Sequence, residues 1–172
     1  MENAGGTDPR KHLFELLQKF DTGMLTTTAV DGSFHARPLR VAAAEDDGGL
    51  WFATSASSGK VDEIQADQTC GVTFQSTGGL YLAFTGTASV VTDRAKIAEL
   101  WAEPMRVWFP DGPDDPDIAL LRVALDKGEY WDNDGVSGLK YLFRAAKAYV
   151  SGNRPETDPP DEHGVVRGVR KP

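Results

Sequence analysis

An Asp31-Gly32 pair between two β-rich runs, Met24–Val30 and Phe34–Ala43, restricts what this chain can fold into more than any other feature. Asp-Gly supplies the backbone conformation of a tight hairpin turn, so the two runs are predicted to pair antiparallel. The acidic, glycine-containing Glu45–Gly49 makes a second turn into a strand at Leu50, and Gly78-Gly79 separates Thr69–Ser76 from Leu80–Val91. Turns this short cannot carry the long crossover that parallel strands need, so the sheet is mainly antiparallel. Leu80–Val91 alternates cleanly. Leu80, Leu82, Phe84, Ala88 and Val90 fall on one face, Tyr81, Thr85, Thr87 and Ser89 on the other, and Gly86 marks a bulge or a close approach. With Ile118–Trp131 as the last long strand, six alternating strands favour closure into a small barrel. The expected fold class is mainly β, a six-stranded antiparallel barrel with flanking α-helices.

The helices punctuate this pattern. Asp8-Pro9 reads as an N-cap and first-turn proline before Leu13, Leu16, Leu17 and Phe20, which predicts a helix over about 8–20. A short helix follows at about 58–66, another is capped by Asp93, and a last one follows Ser137, with Leu139, Leu142, Phe143, Ala146 and Tyr149 on one face. Pro104–Asp117 carries four prolines and four aspartates and is expected to be irregular. Its aspartates lack the order and closing glutamate of a calcium loop, and no metal site is predicted. Residues 1–151 are expected to form one domain. Residues 152–172, rich in Pro, Asp and Glu, read as a mobile tail.

Charge narrows the function classes. Lys and Arg total 18 against 26 Asp and Glu, a net charge of −8 that repels polyanions and argues against a nucleic-acid partner. No stretch approaches the roughly 20 apolar residues of a membrane span. The N-terminus shows no basic-then-apolar export pattern, so a cytoplasmic location is expected. The single cysteine, Cys70, lies in an apolar run and reads as a buried thiol.

Two stretches have the chemistry of an anion site. Leu50–Val61 runs from an apolar strand into Thr54, Ser55, Ser57 and Ser58, then Gly59 and Lys60 at the start of a helix. Free N–H groups, hydroxyls and one cation there suit a phosphate group, although capping by Ser57 or Ser58 would explain the same residues. Within the second strand, Pro38 has no N–H for a central ladder and marks an edge or a bulge. Beside it, Arg37 offers a planar fork that matches phosphate, or is simply a surface arginine. Hydrolytic chemistry finds little support. There is no G-x-S-x-G elbow and no phosphate-binding G-x-x-x-x-G-K-[ST] loop, and His12, His35 and His163 lack ligand-like spacing to carboxylates or cysteines. His35 reads as an exposed hairpin residue. Trp108, Phe109 and Trp131 are candidates to cover a flat ring.

Taken together, these pieces resemble the FMN-binding split-barrel superfamily, which includes pyridoxamine 5′-phosphate oxidase, and within it the general stress protein 26-type branch. The likeness rests on Arg37-Pro38-Leu39, on Trp51–Ser55 with Ser58-Gly59-Lys60, on Thr85-Gly86-Thr87-Ala88, on Glu129-Tyr130-Trp131, and on Trp108-Phe109-Pro110 with Gly112 and Asp115-Pro116. It covers about residues 12–150. The resemblance implies a split barrel that is homodimeric, with FMN bound across the interface. It implies that Arg37, Ser58 and Lys60 hold the phosphate with Gly59 also in the cofactor site, that Thr54 and Ser55 line the phosphate and ribityl chain, that Pro38 and Leu39 lie beside the flavin ring, and that Trp131, from the same or the partner subunit, lies near the ring. No catalytic acid or base is expected from the side chains. The implied function is a flavin-dependent oxidoreductase or stress-related flavoprotein using a small-molecule electron donor or acceptor. A non-catalytic flavin store or sensor, or the same fold holding a deazaflavin or haem, is the alternative. True pyridoxamine phosphate oxidases follow their aromatic pair with Arg-x-His-x-Arg. Here Trp131 is followed by DNDGVSGLK, so the vitamin B6 reaction is not expected.

Overall fold

The computed structural model describes residues 8–45, 47–132, 146, 149 and 163–169. In chain order these form α1 (Pro9–Leu17), β1 (Thr22–Thr28), β2 (Phe34–Ala44), β3 (Gly49–Ser55), α2 (Gly59–Ala66), β4 (Thr69–Gln75), β5 (Leu80–Val91), α3 (Arg94–Leu100), β6 (Ile118–Asp132) and β7 (His163–Arg167). Two short 3₁₀ turns lie between α3 and β6. The Asp31-Gly32 hairpin forms as predicted, with Thr28 opposite Phe34, and Asp31 accepts the Ser33 N–H at 2.9 Å. Asp8 caps α1 by accepting the Arg10 N–H, and Asp93 caps α3 by accepting that of Lys96.

All the strand pairings are antiparallel, in the order β3-β2-β1-β4-β5-β6-β7, and a further β3–β6 pairing from Gly49↔Ala124 to Ser55↔Ile118 closes the first six into a barrel. Closure demands a tight seam between β5 and β6, and the register shifts between Thr85 and Gly86. A Cβ on Gly86 would sit 2.3 Å from the Ala124 carbonyl oxygen, so only glycine allows the two backbones to meet there.

The barrel is split along β2. The half Phe34–Arg40 pairs with β1 alone, and β3 joins only from Val41 onward. Pro38 lies on this free edge, where its missing N–H deprives no neighbouring strand of a hydrogen bond.

Inside, Leu25, Phe52, Val72, Phe84, Leu121 and Val123 make the main core together with Leu13, Leu16 and Leu17 of α1. A second apolar cluster lies outside the barrel wall. Trp51, Ile118 and Leu120 face outward there and are covered by Ile97 of α3 and by Phe109. Phe109 is thus a packing residue and not a ring cover, whereas its neighbour Trp108 is 75% exposed.

The C-terminal expectation needs correction. His163–Arg167 is a seventh strand lying along Lys127–Trp131 of β6, so this part of residues 152–172 is not a mobile tail. Val166 and Val169 join the main core, and α1 packs against β7. Gly164 permits the approach, because a Cβ there would fall 2.5 Å from the Tyr130 hydroxyl. Of the helix predicted after Ser137, Leu139, Leu142 and Phe143 lie outside the described residues. Ala146 and Tyr149, expected on its apolar face, are helical and exposed.

Candidate functional site

The barrel pattern and the α2 turn bring the two predicted anion-binding stretches to one end of the barrel. Along β3 the side chains of Leu50, Phe52 and Thr54 point inward, so Thr54, next to the strand's last residue, is a buried hydroxyl, 4% exposed. The chain then turns through Ser55–Ser58 into α2. Ser58 occupies the N-cap position with extended backbone, but its side chain makes no capping hydrogen bond. The Lys60 ammonium donates to the Ser58 hydroxyl instead, and to Thr54 Oγ1 at 3.0 Å. Capping by Ser58 therefore does not account for this stretch. Two hydroxyls and one cation are gathered beside the start of a helix.

Arg37 reaches the same end from β2. Its Nη1 donates to the Thr27 hydroxyl and to the His35 carbonyl at 3.0 Å, and its Nη2 donates to Glu63 Oε2 at 2.6 Å. Thr27 Oγ1 donates in turn to Glu63 at 2.5 Å, and His35 Nδ1 lies 2.6 Å from the other carboxylate oxygen. Burial alone would raise the Glu63 carboxyl, but hydrogen bonds from Thr27, His35 and Arg37, with the Arg37 charge, hold it down at about 2. Lys60 is pushed below its ordinary value by burial and then by the positive charge of Arg37, with Glu63 opposing. Two cations thus lie at this end with one carboxylate, Glu63, which is bonded to Arg37 and lies one helical turn after Lys60. This donor set fits a phosphate group: two cations, two hydroxyls and the first N–H groups of a helix.

The remaining predicted residues divide. The Gly59 backbone begins α2 beside Lys60. Leu39 is half-buried on the inward side of β2 opposite Gly23, whereas Pro38 is exposed on the outer face opposite Met24. Ser55 is turned to another task. Its hydroxyl donates to Asp117, which also accepts the Ser57 N–H at 3.0 Å, while Ala56 N–H donates to the Asp117 carbonyl at 2.6 Å. Asp117 thereby pins the turn that presents Ser58 and Lys60, and its carboxyl is lowered by the bonds from Ser55 and Ser57.

Trp131 stands apart from the cradle. It lies on the outer face of the sheet opposite Tyr81 and His163, with its ring stacked on the His163 imidazole at 5.4 Å and 14°. It lines a shallow cleft of about 210 Å³ with Met24, Thr73, Gln75, Tyr81 and Ala83. That face also exposes Phe34 and Val165.

Three residues of the cradle went unpredicted. Glu63 was within reach, because it follows Lys60 by one helical turn and so shares its face. Thr27 and Asp117 join only through the closed barrel, and no local pattern marks them.

Comparison with known proteins gives this geometry its family. The family model described as pyridoxamine 5′-phosphate oxidase like matches residues 8–156. The chain belongs to that family. Its split barrel agrees with the superfamily recognised from the sequence motifs. Protein bli-3 of Neurospora crassa is 32% identical over 117 residues, which cover 62% of this chain and 56% of that protein, so the match spans little more than half of the relative's length. A crystal structure of a candidate general stress protein 26 from Jannaschia sp. CCS1 superposes with a TM-score of 0.68 at 26% identity, over 91% of this chain and 96% of that one. The general stress FMN/FAD binding protein from Xanthomonas citri gives a TM-score of 0.63 at 30% identity, over 74% and 89%. Among the described residues no helix is long and apolar enough to cross a membrane.

Proposed function

We propose that this chain is a flavoprotein that holds FMN by its phosphate between Arg37 and Lys60, and that it acts as a homodimeric oxidoreductase toward a small-molecule donor or acceptor. The observation that carries the reading is that Arg37 bonds Glu63 Oε2 at 2.6 Å, one helical turn after Lys60, which itself bonds Thr54 and Ser58 at the start of α2. A terminal phosphate satisfies both, with Thr54 and Ser58 as further hydroxyl partners and Gly59 leaving the backbone open. Bound flavin would supply electron transfer. The chain's own residues bind, orient and shield it, and none is assigned as a catalytic acid or base. The family membership and the flavin-binding Xanthomonas citri relative support the cofactor class.

Exposed apolar surface supports the dimer. Trp131 and the exposed Met24, Phe34, Tyr81 and Val165 lie on the outer face, where Pro38 also lies opposite Met24. A second copy packed on that face would bring Trp131 of the partner subunit toward a ring held at Pro38 and Leu39, and would bury the apolar surface. Vitamin B6 oxidation is not proposed, because the segment after Trp131 has neither arginine nor histidine until Arg144.

The absorption spectrum of the purified protein, followed by titration with FMN and riboflavin, tests the reading. Flavin bands and tighter binding of FMN than riboflavin are expected, and equal affinity for the two would remove the phosphate from the argument. Turnover of NADH or NADPH with an added acceptor then separates an oxidoreductase from a flavin store. Light scattering at micromolar concentration tests the dimer, which a mass near 18.6 kDa would exclude.

A further inference from the structure

We propose that Glu63 and His35 complete the cradle as a charge-balancing pair, so that a phosphate monoester binds as its dianion together with a proton taken up at His35. The proposal deepens the FMN reading and rests on it.

Charge counting motivates the idea. Arg37 and Lys60 contribute two positive charges, and Glu63, held ionised at any ordinary pH, removes one. A dianion would leave this group of residues with a net negative charge in a partly buried place, where uncompensated charge is costly. His35 is placed to correct the deficit. Its Nδ1 is 2.6 Å from Glu63 Oε1, while Glu63 Oε2 is 2.6 Å from Arg37 Nη2, so one carboxylate joins imidazole and guanidinium. The His35 side chain is 52% exposed, which gives a proton a route from solvent.

The hydrogen-bond partners leave an acceptor ready for a second ring proton. An ionised Glu63 can only accept, so Nδ1 must carry a proton. On the other side, Nε2 faces the Ser33 hydroxyl at 3.5 Å, and that hydroxyl's single proton is donated to Asp31 at 2.6 Å. Ser33 Oγ can therefore only accept from Nε2, and both ring nitrogens face acceptors. The charged groups around His35 are Glu63 from α2, Arg37 from its own strand and Asp31 from the turn, with neutral Thr27 on β1 and Lys60 one helical turn before Glu63. A dianion added to this set favours the imidazolium, and histidine is the side chain that ordinarily changes charge between pH 5 and 8.

The test is calorimetric titration of FMN and of riboflavin into the full chain near pH 7.5, in buffers of different ionisation enthalpy. A phosphate monoester has already lost its second proton there, since that ionisation lies at about pH 6. Net proton uptake is expected with FMN and none with riboflavin. FMN affinity should fall by about 3- to 10-fold from pH 7 to 8.5, within the limit of about tenfold per pH unit for one linked proton. His35→Gln should flatten that profile, and Glu63→Gln should abolish the uptake because two uncompensated cations then match the dianion. FMN binding without proton uptake, or uptake that persists in both variants, overturns the proposal while leaving the flavin reading intact. Failure of the parent chain to bind FMN would sink the flavin reading, and this proposal with it.

Discussion

Two pairs of cations on this protein are organised in opposite ways. Lys96 and Arg122 flank the ring of Trp51 on the outside of the barrel, at 4.9 and 5.7 Å from its centroid. They share three carboxylates: Glu45 and Glu99 bond Lys96 at 3.1 and 2.9 Å, and Asp47 bonds Arg122 at 2.8 Å. Arg37 and Lys60, at the barrel end, have Glu63 between them. The ionisation follows the surroundings. Hydrogen bonds that Lys96 donates to Glu99 and Glu45 raise it, whereas burial and the Arg37 charge lower Lys60. The saturated pair holds structure together, whereas the pair with surplus charge is the one proposed to take an anion.

The largest effect that would sharpen the contrast is on stability, outside the cradle. Trp51 is 6% exposed and anchors the outer apolar cluster, so Trp51→Ala should cost about 3–5 kcal/mol in urea unfolding. The folded fraction should still bind FMN. Loss of FMN affinity in still-folded Trp51→Ala protein would show that the two regions are not independent.

Next in size is the acid response of Glu63. Its carboxyl lies at about 2 in the folded chain against about 4.3 in an unfolded one, so the folded state holds its proton more weakly. The associated stability is fully present above about pH 4.5 and is lost as pH falls toward 2, by an amount on the order of 3 kcal/mol. Comparing unfolding at pH 6 and pH 3, the parent should lose more stability than Glu63→Gln. Equal losses would mean that Glu63 is not held by Arg37, Thr27 and His35.

The cradle itself comes third. A charge-assisted hydrogen bond to phosphate is worth roughly 1.5–3 kcal/mol, so Arg37→Ala and Lys60→Ala should each weaken FMN by about 10- to 150-fold. Riboflavin affinity should change little. Fluorescence quenching titrations read both ligands, with exposed Lys11→Ala on α1 as the control. If Lys60→Ala binds FMN as tightly as the parent, the surplus-charge argument fails.

What could be read from the sequence was what depends on neighbours along the chain. The hairpin at Asp31-Gly32, the alternation of Leu80–Val91, the bulge at Gly86 and the meeting of Thr54 with Lys60 are all local, and each has its own residue pattern. Pro38 gave away the free edge because proline's missing N–H is a local fact with a long-range consequence. The misses share the opposite property. Asp117 grips Ser55 from 62 positions away, a contact created only when β3 and β6 close the barrel. β7 was hidden by composition averaged over residues 152–172, where five strand residues follow a Pro- and Asp-rich stretch. Phe109 and Trp108 are adjacent and chemically alike, yet the wall covered by α3 takes one and leaves the other exposed.

The smallest effect belongs to the saturated pair. Lys96→Met keeps an apolar stem over Trp51 and removes the charge, two ion pairs and one cation–π contact. Lys96 is 22% exposed, Glu99 is 63% exposed and Glu45 is 34% exposed, so solvent screens much of what is lost. Exposed ion pairs contribute about 0–1 kcal/mol and an exposed cation–π contact about 0.5–1 kcal/mol, and the methionine recovers part of the packing. The expected net loss is small, a melting shift of no more than about 2–4 °C for a chain of this size. The loss should shrink further in high salt, because it is electrostatic and near the surface. FMN affinity should not change. If Lys96→Met lowers FMN affinity as much as Lys60→Ala does, counting carboxylates around each cation does not locate the binding site.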